Sequence, residues 1–155
     1  MEVKELGHLV LYVRDVERSS RFYREVLGFR QIAPSVDDIV EAMSLPVAAY
    51  SSGRTHHELL LIEVGEDAPL PPPGRRAGLY HFGLKIGDSD DELRAALGEL
   101  ERAEVTVVGA ADHTVTHSLY VLDPDGNEIE LYVDVPGVDW HDPSALMSPV
   151  RPLAL

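Results

Sequence analysis

The sequence predicts an α+β fold: two βαβββ modules whose mixed sheets curl around a shared, metal-containing cavity. Three observations carry this. A weak internal duplication sets Gly7-His8-Leu9-Val10-Leu11-Tyr12-Val13-Arg14-Asp15 against Tyr80-His81-Phe82-Gly83-Leu84-Lys85-Ile86-Gly87-Asp88. Each copy runs into a helical pattern, and each helix is followed by three short strand signals. The chain has 155 residues, 45% of them hydrophobic and 26% charged, enough for a real core in an ordinary globular protein.

The elements follow in order. In each duplicated run a His opens an alternating apolar stretch that ends at Asp, the pattern of a half-buried strand. After Asp15, the residues Val16, Phe22, Tyr23, Val26 and Leu27 share one helical face, and Gly28 is a C-terminal stop. Strands are expected at Phe29–Ala33, Ala48–Ser51 and Glu58–Val64, with an insertion over 34–46 that holds a short helix around Asp38–Met43. Residues 67–78, with four prolines and two glycines, read as a stiff link. In the second module Ser89-Asp90-Asp91-Glu92 is a capping box, and Leu93, Ala96, Leu97 and Leu100 continue at helical spacing. Strands are expected at Val105–Gly109, Ser118–Leu122 and Ile129–Val133, the last two joined by the turn Asp123-Pro124-Asp125-Gly126-Asn127. Residues 1–136 are thus read as a single domain, with modules at about 5–66 and 79–135, and 137–155 as an irregular tail.

Charge and composition narrow the function. Thirteen Lys and Arg against 27 Asp and Glu give a net charge of −14, which disfavours a sequence-independent grip on nucleic acid or an anionic membrane. No apolar run approaches the roughly 20 residues of a membrane span, and the start Met1-Glu2-Val3-Lys4-Glu5 lacks secretory character, so a cytoplasmic location is expected. There is no cysteine, so a metal here must be held by imidazole and carboxylate.

The histidines supply candidates. Residues 8 and 81 are 73 apart, and so are 57 and 130. His8 and His81 therefore open the first strand of each module, and His57 and Glu130 stand at matched places at the start of each last strand. Core packing gives no reason for polar groups at matched positions of two halves, and a buried charge there is costly unless paired or metal-bound. Such donors suit Fe(II), Mn(II), Zn(II) or Ni(II), and two His plus one carboxylate with open positions particularly suits Fe(II). Glu58 rivals His57, since a register change of one residue exchanges them. Alternation sends His56 to the opposite face from His57. Asp123 and Asn127 are turn formers, and His141, beside Trp140, belongs to the surface.

The segments Gly7–Asp15, Phe22-Tyr23-Arg24-Glu25-Val26-Leu27-Gly28-Phe29, Tyr80-His81-Phe82 and Leu119–Tyr132 resemble the vicinal oxygen chelate superfamily: glyoxalases, type I extradiol dioxygenases, and related epimerases and resistance proteins. The resemblance covers residues 5–135 and implies metal ligands His8, His81 and Glu130. Thr55-His56-His57-Glu58 resembles the dioxygenase branch, in which the residue at His57 is an acid/base group and not a ligand. That branch also places a Tyr ten residues before the Glu ligand, here Tyr120, and a further His on the preceding loop, here His113 with His117 in reserve. It implies Fe(II)-dependent ring cleavage of a small aromatic diol by O2, with His57 accepting and returning the substrate proton while Tyr120 and His113 hydrogen-bond substrate oxygens. Many extradiol enzymes have four modules where this chain has two. The alternatives within the superfamily are a four-ligand lyase or isomerase of the glyoxalase or epimerase kind, and a resistance protein that only binds an aromatic ligand. By analogy with other members the protein is expected to form a homodimer.

Overall fold

Alternation along each strand decides which side of a sheet is covered by a helix and which stays open. The computed structural model describes residues 1–32 and 45–155. They form two units, Met1–Pro71 and Pro72–Leu155, and the division falls inside the proline-rich link.

In the first unit β1 (Leu9–Val13), β2 (Arg30–Gln31), β3 (Val47–Ser51) and β4 (Leu59–Glu63) form a sheet in the order β1-β4-β3-β2. β1 and β4 are parallel, with Leu9 opposite Leu59, and the other pairs are antiparallel. Leu11, Val13, Ala48, Tyr50, Leu59 and Leu61 are buried on one face. Helix α1 (Val16–Arg21) is capped by Asp15, whose carboxylate accepts from Arg18 N at 2.9 Å. Residues Phe22–Val26 then widen into a π turn, closed by Leu27 N to Phe22 O at 3.2 Å. The sequence pattern suggested an uninterrupted helix. Adjacent Phe22 and Tyr23 are both buried, and the wider turn lets both rings face inward, edge to face at 5.2 Å between centroids. Gly28, at φ +72°, ends the helix as expected. The short helix expected around Asp38–Met43 lies outside the described residues.

The second unit repeats the pattern with β5 (His81–Gly87), α2 (Asp90–Arg102), β6 (Val107–Asp112), β7 (Thr116–Leu122) and β8 (Glu128–Asp134). With β9 (Arg151–Pro152) its sheet order is β5-β8-β7-β6-β9, with β5 and β8 parallel. The capping box forms: Ser89 Oγ accepts from Glu92 N, and Glu92 Oε2 reaches back to Asp88 N at 2.9 Å. Leu93 and Leu100 of α2 are buried, as are Leu119, Val121, Ile129, Leu131 and Val133 of β7 and β8. Each such side chain contributes about 1.5–3 kcal/mol of burial.

Two expectations need correction. The tail is not wholly irregular. Asp142 caps a one-turn helix α3 (Pro143–Leu146), and β9 (Arg151–Pro152) pairs with Ala111 and Asp112. β6 otherwise leaves a row of backbone groups unpaired, and an edge position tolerates Pro152. The duplication also does not hold one offset throughout. Leu9 faces Leu59, whereas its counterpart Phe82 faces Ile129, so the last strands are displaced by three residues relative to the first. Glu130 stands opposite Gly83; the matching place in the first unit, opposite Val10, belongs to Leu60 and not to His57.

The turn between β7 and β8 is built on Asp123. Its buried Oδ1 accepts from Asp125 N and Asn127 N at 2.9 and 2.8 Å, and Oδ2 accepts from Asn127 Nδ2 at 2.9 Å. Replacing Asp123 with Ala strands these donors and is expected to destabilise the protein by about 2–4 kcal/mol; urea unfolding midpoints measure it, and an unchanged midpoint would show that the turn holds itself.

Candidate active site

The second unit gathers four of the expected residues on the open face of its sheet. Glu130 is directly across from Tyr120 on β7, and Ser118 lies on the same face one pleat away. Ser118 Oγ, fully buried, donates to Glu130 Oε1 at 2.7 Å, and Tyr120 Oη lies 3.2 Å from the same oxygen. Glu130 Oε2 instead faces His81 Nε2 at 3.3 Å. One carboxylate oxygen is thus engaged with hydroxyls and the other is turned to an imidazole.

His113 Nε2 sits 2.7 Å from Tyr120 Oη. It stands on the β6–β7 turn, where His113 N donates to Thr116 O and Asp112 Oδ1 accepts from Thr114 N at 2.7 Å. Thr114 adopts φ +71°, a strained conformation for a β-branched residue that costs on the order of 1–3 kcal/mol. Burial, followed by the Glu130 charge, pushes the Tyr120 phenol above its ordinary range, so it stays protonated at neutral pH. Its single proton goes either to Glu130 or to His113; when Glu130 takes it, His113 must carry its own proton on Nε2.

Other residues fall elsewhere. His117 lies on the helix-covered face and pairs through Nδ1 with Asp90 at 2.6 Å, so it is no substitute for His113. Pleat parity separates His117 from Tyr120 by an odd step. His141 is exposed against the Trp140 ring, as expected.

In the first unit His8 immediately precedes β1, and its ring lies 4.7 Å from that of His57. His57 stands two residues before β4 rather than on it. His56 does not point away from it: the rings are 4.5 Å apart, because residues ahead of the strand are free of its alternation. Burial first, then the neighbouring His56 and His8, lower the His57 pKa, which keeps its imidazole neutral at pH 7. Glu58 is committed elsewhere. Its carboxylate accepts from Ser52 N at 2.7 Å, Ser52 Oγ at 2.7 Å and Ser51 Oγ at 3.0 Å, and pairs with Arg54 at 3.3 Å.

Among the described residues no group of three or more His, Asp and Glu side chains is arranged to hold a metal ion. The second unit supplies two donors that fit one. Nonbonded Nε2 and Oε2 atoms 3.3 Å apart match ligands of a shared ion, which with bonds of about 2.1 Å lie roughly 3.0–3.4 Å from each other. Beside them, Gly83 has no backbone need for glycine, and a Cβ there would come within 3.3 Å of the Tyr132 ring and 3.7 Å of Glu130 Oε2.

Sequence reading missed Ser118. The signal was present in the Asp123–Asn127 turn, whose length sets the hairpin register and so puts Ser118 on the face of Glu130.

The chain belongs to the Glyoxalase/Bleomycin resistance protein/Dioxygenase superfamily, whose family model matches residues 5–131. It is 35% identical over 139 residues to the catechol-2,3-dioxygenase of Bacillus subtilis, covering 90% of this chain and 45% of that protein. It is 30% identical to virulence protein STM3117 of Salmonella typhimurium, covering 84% of this chain and 85% of that one. The fold is shared with a glyoxalase/dioxygenase from Nostoc punctiforme: TM-score 0.66, 22% identity, covering 84% of this chain and 91% of that chain. The chain thus spans less than half of its dioxygenase relative. No helix among the described residues is long and apolar enough to cross a membrane.

Burial acts to raise the Glu58 pKa, but the bonds from Ser52 and Ser51 and the Arg54 charge outweigh it and hold the carboxyl below its ordinary value. Stability gained this way is present above the unfolded-state value near pH 4.3 and is lost as pH falls through the folded-state value. Glu58→Gln is therefore expected to be less stable than wild type at pH 7 and to converge with it on acidification. Urea midpoints from about pH 7 to pH 3 follow the difference; a constant gap would reject the account.

Proposed function

We propose that the protein is an extradiol dioxygenase that opens a catecholic ring with O2, using Fe(II) held by His8, His81 and Glu130. The observation that carries this reading is the His81–Glu130 donor pair at 3.3 Å with the un-ionised Tyr120 phenol and His113 alongside. The dioxygenase named among its relatives supports that branch of the superfamily. His8 enters on the duplicated strand pattern and the family resemblance. Mn(II), Zn(II) and Ni(II) suit the same donors, but zinc has no redox chemistry to offer O2.

When bound, ferrous iron supplies open coordination positions and the one-electron chemistry that ground-state dioxygen requires. The balance needs no outside reductant: one ring carbon–carbon bond breaks, two carbon–oxygen bonds form, and both atoms of O2 enter the product. The protein's own groups handle protons and orientation. His57, neutral at pH 7, takes a proton from a diol hydroxyl and later returns it. Tyr120, kept protonated, donates to a substrate or product oxygen, and His113 holds the phenol and accepts or resupplies its proton. Ser118 occupies Glu130 Oε1 and leaves Oε2 as the donor.

Anaerobic reconstitution with Fe(II), then addition of catechol or substituted catechols in air, should give oxygen uptake matched by a yellow semialdehyde. No uptake across such a series overturns the proposal. His8→Ala should lose both iron and turnover; full iron with no turnover would exclude it as a ligand.

His57→Gln should keep its iron and lose about 100-fold or more in kcat. If iron is lost instead, His57 is a fourth ligand and the lyase or isomerase branch gains. Tyr120→Phe should lower kcat about tenfold at unchanged iron content, and an unchanged rate would make it a packing residue.

A further inference from the structure

Two carboxylates bracket one imidazole. Glu128 and Glu130 lie two residues apart on the open face of β8, and β5 sets His81 directly opposite Glu128 in the parallel ladder. His81 Nε2 faces Glu130 Oε2 at 3.3 Å, and His81 Nδ1 faces Glu128 Oε1 at 3.3 Å. Nδ1 is buried and has no aligned hydrogen-bond partner, and Glu128 is the acceptor within reach. The Tyr80 ring lies 4.5 Å from that of His81.

We infer that Glu128 is a positioning residue for His81, accepting the Nδ1 proton so that the bare Nε2 lone pair is presented beside Glu130. This rests on the reading of His81 and Glu130 as metal ligands. A neutral imidazole carries one N–H and ligates through the other nitrogen. A carboxylate only accepts, so the tautomer with hydrogen on Nδ1 satisfies Glu128, whereas the other sets a lone pair against its charge. With hydrogen on Nδ1, Nε2 and Glu130 Oε2 present two lone pairs to one another, an arrangement that a cation between them relieves. Glu128 thus selects the ligating tautomer and fixes the ring plane. The pleat provides for this, since every second residue of β8 returns to the same face.

The test uses the full chain with Zn(II) as a diamagnetic probe and Fe(II) under anaerobic conditions, comparing wild type, Glu128→Ala and Glu128→Gln. Far-UV circular dichroism and thermal unfolding of the metal-free proteins establish that each folds. In wild type with Zn(II), 15N-edited NMR should show a slowly exchanging proton on His81 Nδ1. In Glu128→Ala that proton should exchange rapidly, and affinity for both metals should fall about 10–100-fold. Glu128→Gln keeps an acceptor at the same reach and should retain the Nδ1 signal, with affinity nearer wild type. Equal affinity and an unchanged Nδ1 signal in Glu128→Ala overturn the inference while leaving the ligand reading intact. Weaker binding with an unchanged signal overturns it too, because charge alone would then be acting. Failure of wild type to bind either metal defeats the ligand reading, and this inference with it.

Discussion

The pleat of β8 is the constraint from which the chemistry of this protein follows. Ile129, Leu131 and Val133 pack beneath α2, and Glu128, Glu130 and Tyr132 must then point the other way. A slip of one residue would drive the carboxylates into the apolar layer, where an unpaired charge costs several kcal/mol, and would lift the aliphatic residues out of it. The hydrophobic layer therefore holds the acidic side chains in place without touching them. The Asp123 turn completes the arrangement by fixing which residue of β7 meets each of these groups.

The two units use one topology for different ends. On the open face of the first, β1 and β4 carry Val10, Tyr12, Leu60 and Ile62, and the imidazoles of His8 and His57 come together just outside the strands. The corresponding face of the second carries His81, Lys85, Glu128, Glu130 and Tyr132. Glu58 illustrates the division: it has the residue type of a ligand, yet the 51–54 turn takes all of its bonding capacity. Polar satisfaction, and not residue type alone, decides which acids are available to a ligand.

How much of this was legible in the sequence depended on range. The strands at Val47–Ser51, Leu59–Glu63 and Thr116–Leu122 overlap those expected at 48–51, 58–64 and 118–122, and the start of α2 follows from its capping box, because those signals are local. The π turn was not legible, since consecutive aromatics at Phe22 and Tyr23 fit an ordinary helix until both must be buried. A constant repeat offset matched His57 to Glu130, but strand pairing is a long-range choice and took a register three residues away. His56 lies ahead of the first residue of β4, where strand alternation does not operate, and His117 lies within β7 and not on the loop before it. Ser118 and Glu128 matter through partners twelve and forty-seven residues away, which no local pattern announces.

Gly83 has a consequence of its own. It occupies an exposed position on the open face of β5 with an unremarkable backbone, so its missing side chain is a matter of volume alone. A methyl group there would crowd the Tyr132 ring and narrow the approach to Glu130 Oε2. Residue 83 is thus a caliper beside that oxygen: each carbon added there would press further on the Tyr132 ring and leave a guest less room next to the carboxylate.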